Sequence, residues 1–298
     1  MKKKILLLIL CLSLIVSVFA GCGGGSGYDV IVAGKLHVEG ALMAEVFAQL
    51  LEEKTDLNIG REFDLSSRIA FTAVREGEAD IYPGYTGSML INYLGRDLVP
   101  GTPYNVMIEQ ARAGLLEEFD LVMMDPMGFQ NTYRIAIGRQ FAEDNNIRTN
   151  SDLAPFTPYM VFGSEHDFFD RSDGFYPMSE AYGFNFRDTV MMDVALKYQS
   201  FEQGIMDAFI AYTTDGPLIR HDVVLLEDDQ LFFPAYYFHA VVRRDTLEQF
   251  PQVGQALSVL VGVATSDDMM RYNYSIVSGQ MTIPQAASAF IEEFGLLG

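Results

Sequence analysis

Short apolar strands alternate with amphipathic helices along this chain, and the alternation runs twice. The first run opens with a strand at Asp29 to Ala33 and a helix near Gly40 to Lys54, where Leu42, Val46, Leu50 and Met43, Phe47, Leu51 recur at helical spacing. A strand at Ile59 to Phe63, a helix around Arg68 to Arg75, a strand at Ala79 to Tyr82, a helix from Asn105 to Phe119 and a strand at Leu121 to Met124 continue it. Past Asp125-Pro126 the pattern restarts with a strand at Tyr133 to Ile137, a helix capped by Ser151, and strands near Tyr159 to Phe162 and Ala208 to Tyr212. Strands at Val223 to Leu226 and Tyr237 to Val242 flank the acidic turn Glu227-Asp228-Asp229. Helices around Gln252 to Ala264, Ser266 to Val277 and Pro284 to Phe294 end the chain. Such alternation predicts an α/β fold of two units, each a mixed, mainly parallel sheet flanked by helices. If the last helices pack back on the first unit, the chain crosses twice, near Met124 and Asp228, and the crossings form a hinge.

One pattern occurs in both units. Gly77-x-x-Asp80-x-x-x-x-Tyr85-Thr86 and Gly204-x-x-Asp207-x-x-x-x-Tyr212-Thr213 keep the same gap from glycine to tyrosine. Each reads as a helix closed by glycine, a short strand, and an aromatic ring at the strand's carboxyl end, where open α/β sheets bind ligands. Chance, or a shared strand-loop grammar without function, explains the spacing equally well.

The N-terminus reads as a targeting segment. Lys2, Lys3 and Lys4 precede an apolar run from Ile5 to Phe19 that is short for a membrane span. Phe19-Ala20-Gly21-Cys22 resembles a bacterial lipobox, with phenylalanine where leucine is usual. The expectation is a signal peptide over 1–21, lipidation at Cys22 and a flexible tether over 22–27. A plain secretory peptide with an incidental cysteine is the alternative. Cys11 lies in the discarded run, so the folded part has no cysteine and needs no disulfide. Without the three signal lysines the chain carries 17 basic against 40 acidic residues, a net charge of −23. Such a surface repels nucleic acid, and simple solubility accounts for most of it.

Catalytic constellations are scarce. His37, His166, His221 and His239 show no metal-ligand spacing, and no nucleophile elbow, Walker loop or dinucleotide fingerprint occurs. No metal, cofactor or catalytic residue is implied. The surplus is aromatic, with 22 Phe and 15 Tyr against no Trp, and four tyrosines stand beside glycine, proline or polar residues on predicted loops: Tyr85, Tyr133, Tyr212 and Tyr236. A box of such rings suits a quaternary ammonium group, which has no N–H to donate and is attracted by ring faces. Four rings at roughly 1 kcal/mol each supply about half of the roughly 8 kcal/mol of a micromolar ligand. Methyl burial and donors for a carboxylate or hydroxyl at the ligand's other end must supply the rest.

Several ordered blocks carry a family resemblance: Lys54-Thr55-Asp56-Leu57, Gly77 to Gly87, Phe162-Gly163-Ser164-Glu165, Phe169 to Gly174, Tyr212 to Gly216, and Leu226 to Asp229 with Phe232-Phe233-Pro234. Through them nearly the whole mature sequence resembles the substrate-binding proteins of osmoprotectant ABC importers, the glycine betaine, choline and carnitine binders of the OpuAC-like group. The resemblance implies a two-lobed periplasmic-binding-protein-like fold of type II, with lobe I over 28–124 and 229–298 and lobe II over 125–228. It implies a ligand head held by Tyr85, Tyr133, Tyr212 and Tyr236, with Ser88 facing the polar end where threonine is usual. The match is poorest at Leu36-His37-Val38-Glu39-Gly40, where relatives typically read asparagine, phenylalanine, threonine, glutamate and glutamine. Gly40 then replaces a pocket-lining glutamine and His37 adds a titratable ring, or is merely a surface histidine. Arg171 and Asp173 read as an internal salt bridge.

The expected function is capture of a quaternary ammonium solute between two lobes and its delivery to an ABC permease, by a protein anchored outside the cytoplasm. An amino-acid or polyamine binder, or an exported enzyme on the same scaffold, are the other readings.

Overall fold

The computed structural model describes residues 27–171 and 173–298. The expected signal segment and Cys22 lie outside them. Among the described residues no helix is long and apolar enough to cross a membrane.

Among the described residues ten strands form two sheets. They are β1 (Val30–Lys35), β2 (Ile59–Leu65), β3 (Ile81–Tyr85), β4 (Leu121–Met123), β5 (Tyr133–Gly138), β6 (Val161–Ser164), β7 (Asp188–Met191), β8 (Ala208–Tyr212), β9 (Val223–Leu225) and β10 (Phe238–Arg243). One sheet has the order β2-β1-β3-β10-β4 and the other β7-β6-β8-β5-β9. Each is mixed, with β1 parallel to β2 and β3, β10 antiparallel to β3 and β4, and the same arrangement about β6 and β5. Parallel pairs are fewer than alternation alone implied, because each sheet receives one strand by the chain's passage from the other.

The repeated pattern has a structural content. Gly77 and Gly204 both adopt left-handed backbone, at φ +81° and +69°, after the helices Ser67–Glu76 and Val194–Glu202. Asp80 then accepts the N–H of Ile31 on the neighbouring parallel strand at 2.7 Å and returns its own N–H to the Ile31 carbonyl at 2.8 Å. Asp207 does the same with Val161, at 2.8 and 2.9 Å. Shared strand-loop grammar therefore explains glycine and aspartate, and it delivers Tyr85 and Tyr212 to equivalent ends of β3 and β8.

The helix Val38–Lys54 is buried along most of its length, with Leu42, Met43, Val46, Phe47, Leu50 and Leu51 in the core. The C-terminal helices Pro251–Ser258, Ser266–Val277 and Ile283–Glu293 pack against it. Two expectations shift. The turn Asn150–Leu153 is capped by Thr149 rather than Ser151, because Thr149 and Asp152 form a reciprocal capping box. The helix expected to reach Ala264 ends at Ser258, since the N–H groups of Gly262 and Ala264 donate to Pro126 and Met127 on the chain between the sheets.

The two connecting segments run side by side, bridged at Gln130 and Tyr237. On the second, buried Asp228 accepts the N–H groups of Phe232 and Phe233 at 3.0 and 2.9 Å, fixing a turn in which Leu231 is left-handed at φ +53°.

Candidate ligand-binding site

Three of the four tyrosines form one cluster. The Tyr133 ring lies 5.1 Å from Tyr212, its cross-strand partner on β8, and 5.6 Å from Tyr236, to which it stands perpendicular. Phe168 and Phe233 close around Tyr133 at 5.2 and 5.3 Å. Tyr85 stands apart, against Phe238 at 5.1 Å. It reaches the cluster through its own turn, because Gly87 lies under the Tyr236 ring and a Cβ there would fall 2.7 Å from Tyr236 Cε1.

Glu39 ties both sheets together. Buried at the first turn of the helix Val38–Lys54, it accepts the Tyr85 hydroxyl, the Asn131 Nδ2 at 3.0 Å and the Asn273 Nδ2 at 3.0 Å. Asn273 also donates to the Thr214 carbonyl at 2.9 Å, two residues past Tyr212. Burial raises the Glu39 carboxyl above its ordinary range against these donors.

Three internal cations sit on faces of these rings. Arg171 lies 5.4 Å from the Tyr133 centroid and is held by Asp173 through two contacts of 2.7 Å, while Asp173 also accepts the Tyr236 hydroxyl. The expected Arg171–Asp173 salt bridge is present, and it orients a tyrosine. Lys197, fully buried, lies 5.0 Å from the Tyr212 centroid and contacts Glu165 at 2.6 Å and Asp215 at 3.5 Å. Burial alone would lower its pKa, but Asp215 and Glu165 turn the net shift upward. Lys35, at the end of β1, lies 4.7 Å from the Tyr85 centroid and 4.5 Å from Tyr82. Burial of the tyrosines pushes the Tyr133 phenol up to about 12, so it stays neutral.

His37 caps the helix, its Nδ1 accepting the Gly40 N–H at 3.1 Å, with its ring 6.3 Å from Tyr85. A Cβ on residue 40 would fall 2.9 Å from His37 Cε1 and Nε2 and 2.8 Å from Lys35 Cβ. The His37 ring thus fills the place a side chain at Gly40 would need. Ser88 is half-buried in the turn after Tyr85. A cavity of about 480 Å3 lies beside the ring cluster, lined by Thr132, Arg134, Asp173, Phe233 and the loop 96–103. Among the described residues no group of three or more His, Cys, Asp or Glu is arranged to hold a metal ion.

Residues 28–293 match the family described as the substrate binding domain of ABC-type glycine betaine transport systems, OpuAC. The chain belongs to that family. It is 32% identical, over 90% of its length, to the ergothioneine transport permease/ergothioneine binding protein EgtU of Helicobacter pylori strain G27, and spans 48% of that relative. Identity to the carnitine transport binding protein OpuCC of Listeria monocytogenes is 28%, over 98% of this chain and 97% of that one. The crystal structure of a glycine betaine/carnitine/choline ABC transporter superposes with a TM-score of 0.80 at 25% identity, over 91% of this chain and all of that one. The fold is that of the two-lobed type II binding proteins in this family.

Sequence reasoning missed Lys35, Glu39, Lys197 and Asn273. Only Glu39 carried a signal, as an acid at a helix start within the stretch that departs most from the family pattern.

Proposed function

We propose that this protein captures a quaternary ammonium compatible solute, such as glycine betaine, choline or carnitine, and delivers it to an ABC permease without chemical change. The observation that carries the reading is the convergence of Tyr133, Tyr212 and Tyr236, with the turn that follows Tyr85 against Tyr236, at the ends of equivalent strands of two sheets. The solutes in the relatives' names share a trimethylammonium head and a carboxylate, which matches a ring cluster with polar groups at one end.

In this reading lobe I comprises 28–124 with 229–298 and lobe II 125–228, and the paired segments near Met124 and Asp228 form the hinge. Here the rings pack on one another, so access requires the lobes to part and the ligand's contacts drive reclosure. His37, Gly40 and Ser88 border the polar end. Cys22 carries the lipid that holds the protein outside the cell membrane. An amino acid or polyamine is the second reading, supported by the acidic groups Glu39, Asp173 and Glu165 among the rings.

A thermal-shift screen with betaine, carnitine, choline, ergothioneine, proline and putrescine tests this. Stabilisation by the methylated ammonium compounds is expected, weakened in Tyr85→Ala and Tyr212→Ala by roughly 1 to 2 kcal/mol of binding each. Stabilisation by putrescine or proline alone would overturn it.

A further inference from the structure

A buried cation needs a partner, and the three cations of the site differ in whether they have one. Arg171 has a bidentate carboxylate and Lys197 has two carboxylates within 3.5 Å. Lys35 is 2% exposed, yet among the described residues it has no hydrogen-bond or ion-pair partner, only the faces of Tyr82 and Tyr85. An unpaired ammonium in such surroundings is unfavourable. It stands at the carboxyl end of β1, where ligands of α/β sheets bind. His37 is beside it, and because Nδ1 accepts the Gly40 N–H, the neutral ring carries its proton on Nε2 and can donate.

We propose that Lys35, seconded by His37 Nε2–H, is an anion subsite that receives the carboxylate of a zwitterionic ligand whose ammonium head lies among the tyrosines. The proposal rests on the quaternary ammonium reading above and adds the carboxylate as a recognised group. Gly40 then serves by leaving room for the His37 ring, which makes the two residues one device.

Charged and titratable groups around Lys35 come from each neighbouring element. Glu39 acts on it from the helix Val38–Lys54, beyond ion-pair distance, and Lys35 in turn acts on His37 in the turn before that helix. Tyr82 and Tyr85 face it from β3, and β2 meets it with uncharged Leu65. Arg68 and Arg171 act on Tyr93, the partner of the Tyr82 hydroxyl. Burial lowers the Lys35 ammonium to about 7, against the pull of Glu39. Above that pH it is mostly neutral in the free protein, and an arriving carboxylate raises its affinity for a proton. Binding of a betaine therefore takes up a proton, whereas choline, with no anion, takes up none.

Calorimetry of the unmodified protein at about pH 8, in two buffers of different ionisation enthalpy, counts that proton. Uptake approaching one proton with glycine betaine and none with choline is expected. Lys35→Met should lower betaine affinity about tenfold more than choline affinity and abolish the uptake. Betaine binding without proton uptake, or equal losses for both ligands in the variant, overturns the subsite and leaves the cage reading intact. If the unmodified protein binds neither ligand, the cage reading fails and this one with it. The proton count needs no variant, so misfolding of Lys35→Met does not blunt the test.

Discussion

The loop that carries Tyr212 rests on the C-terminal helix Ser266–Val277 through a glycine. A Cβ on Gly216 would lie 2.4 Å from Tyr274 N, 2.6 Å from Tyr274 Cα and 2.8 Å from the Asn273 carbonyl carbon. All three are backbone atoms of a helix, which cannot yield singly. Ordinary carbon contacts need about 3.5 Å, so Gly216→Ala must displace loop or helix by roughly 1 Å. The Asn273 Nδ2 donates to the Thr214 carbonyl at 2.9 Å, and the same shift carries it out of hydrogen-bond range. Overpacking of this kind costs about 1 to 3 kcal/mol and the lost hydrogen bond about 1. That helix packs with Val38–Lys54 on the β1 side, so parting the sheets relieves the overlap. The cost should therefore fall on the ligand-bound closed form, lowering betaine affinity by about 30-fold or more while the urea midpoint of the free protein moves little. Affinity within about twofold of the unmodified protein in a calorimetric titration would show that closure does not depend on this contact.

Two further outcomes concern stability. His239 is fully buried between the Thr86 hydroxyl at 2.8 Å and the Met124 carbonyl at 2.9 Å, and burial lowers it to about 4. The unfolded chain, with histidine near 6.5, binds the proton first, so this contribution is complete above that pH. It shrinks by up to about 3 kcal/mol as pH falls to 4, a slope that urea melts of His239→Gln should lack. Asp80→Ala and Asp207→Ala should each destabilise, by about 2 and about 1 kcal/mol, the first more because Asp80 also accepts Thr246 Oγ1 at 2.6 Å. Equal, negligible effects in denaturation would deny the duplicated strand-docking role.

Much of the frame was legible because its signals are periodic. Strands β1, β5 and β8 and the helices Val38–Lys54 and Ser266–Val277 lie within a few residues of where spacing puts them. Tyr85 and Tyr212 were legible through the glycine and aspartate that position them. The stretch from Arg139 to Glu202 was read poorly, because its helices His166–Asp170 and Phe175–Tyr182 are short and aromatic-rich and β7 is an edge strand with no buried face. The polar half of the site was opaque for another reason. Lys35 and Lys197 are buried by elements distant in sequence, and Asn273 meets Glu39 across 234 positions of chain. No local pattern encodes such a contact.

The internal cations also bear on which solute is favoured. Each of Tyr85, Tyr133 and Tyr212 has one face occupied by Lys35, Arg171 or Lys197, so in the proposed reading a bound ammonium stays clear of those faces. Two unit charges about 10 Å apart repel by roughly 2 kcal/mol at an effective dielectric constant of about 20. At Tyr133 and Tyr212 the carboxylates of Asp173, Glu165 and Asp215 cancel most of it, because they touch the cation concerned. At Tyr85 nothing touches Lys35, and the repulsion stands unless the ligand brings its own negative group. A zwitterion does so and choline does not, which predicts a preference for glycine betaine over choline of about tenfold at about pH 6, where Lys35 is mostly protonated. The preference should shrink as pH rises and Lys35 loses its proton. A ratio that stays constant between about pH 6 and pH 9 would locate the discrimination elsewhere.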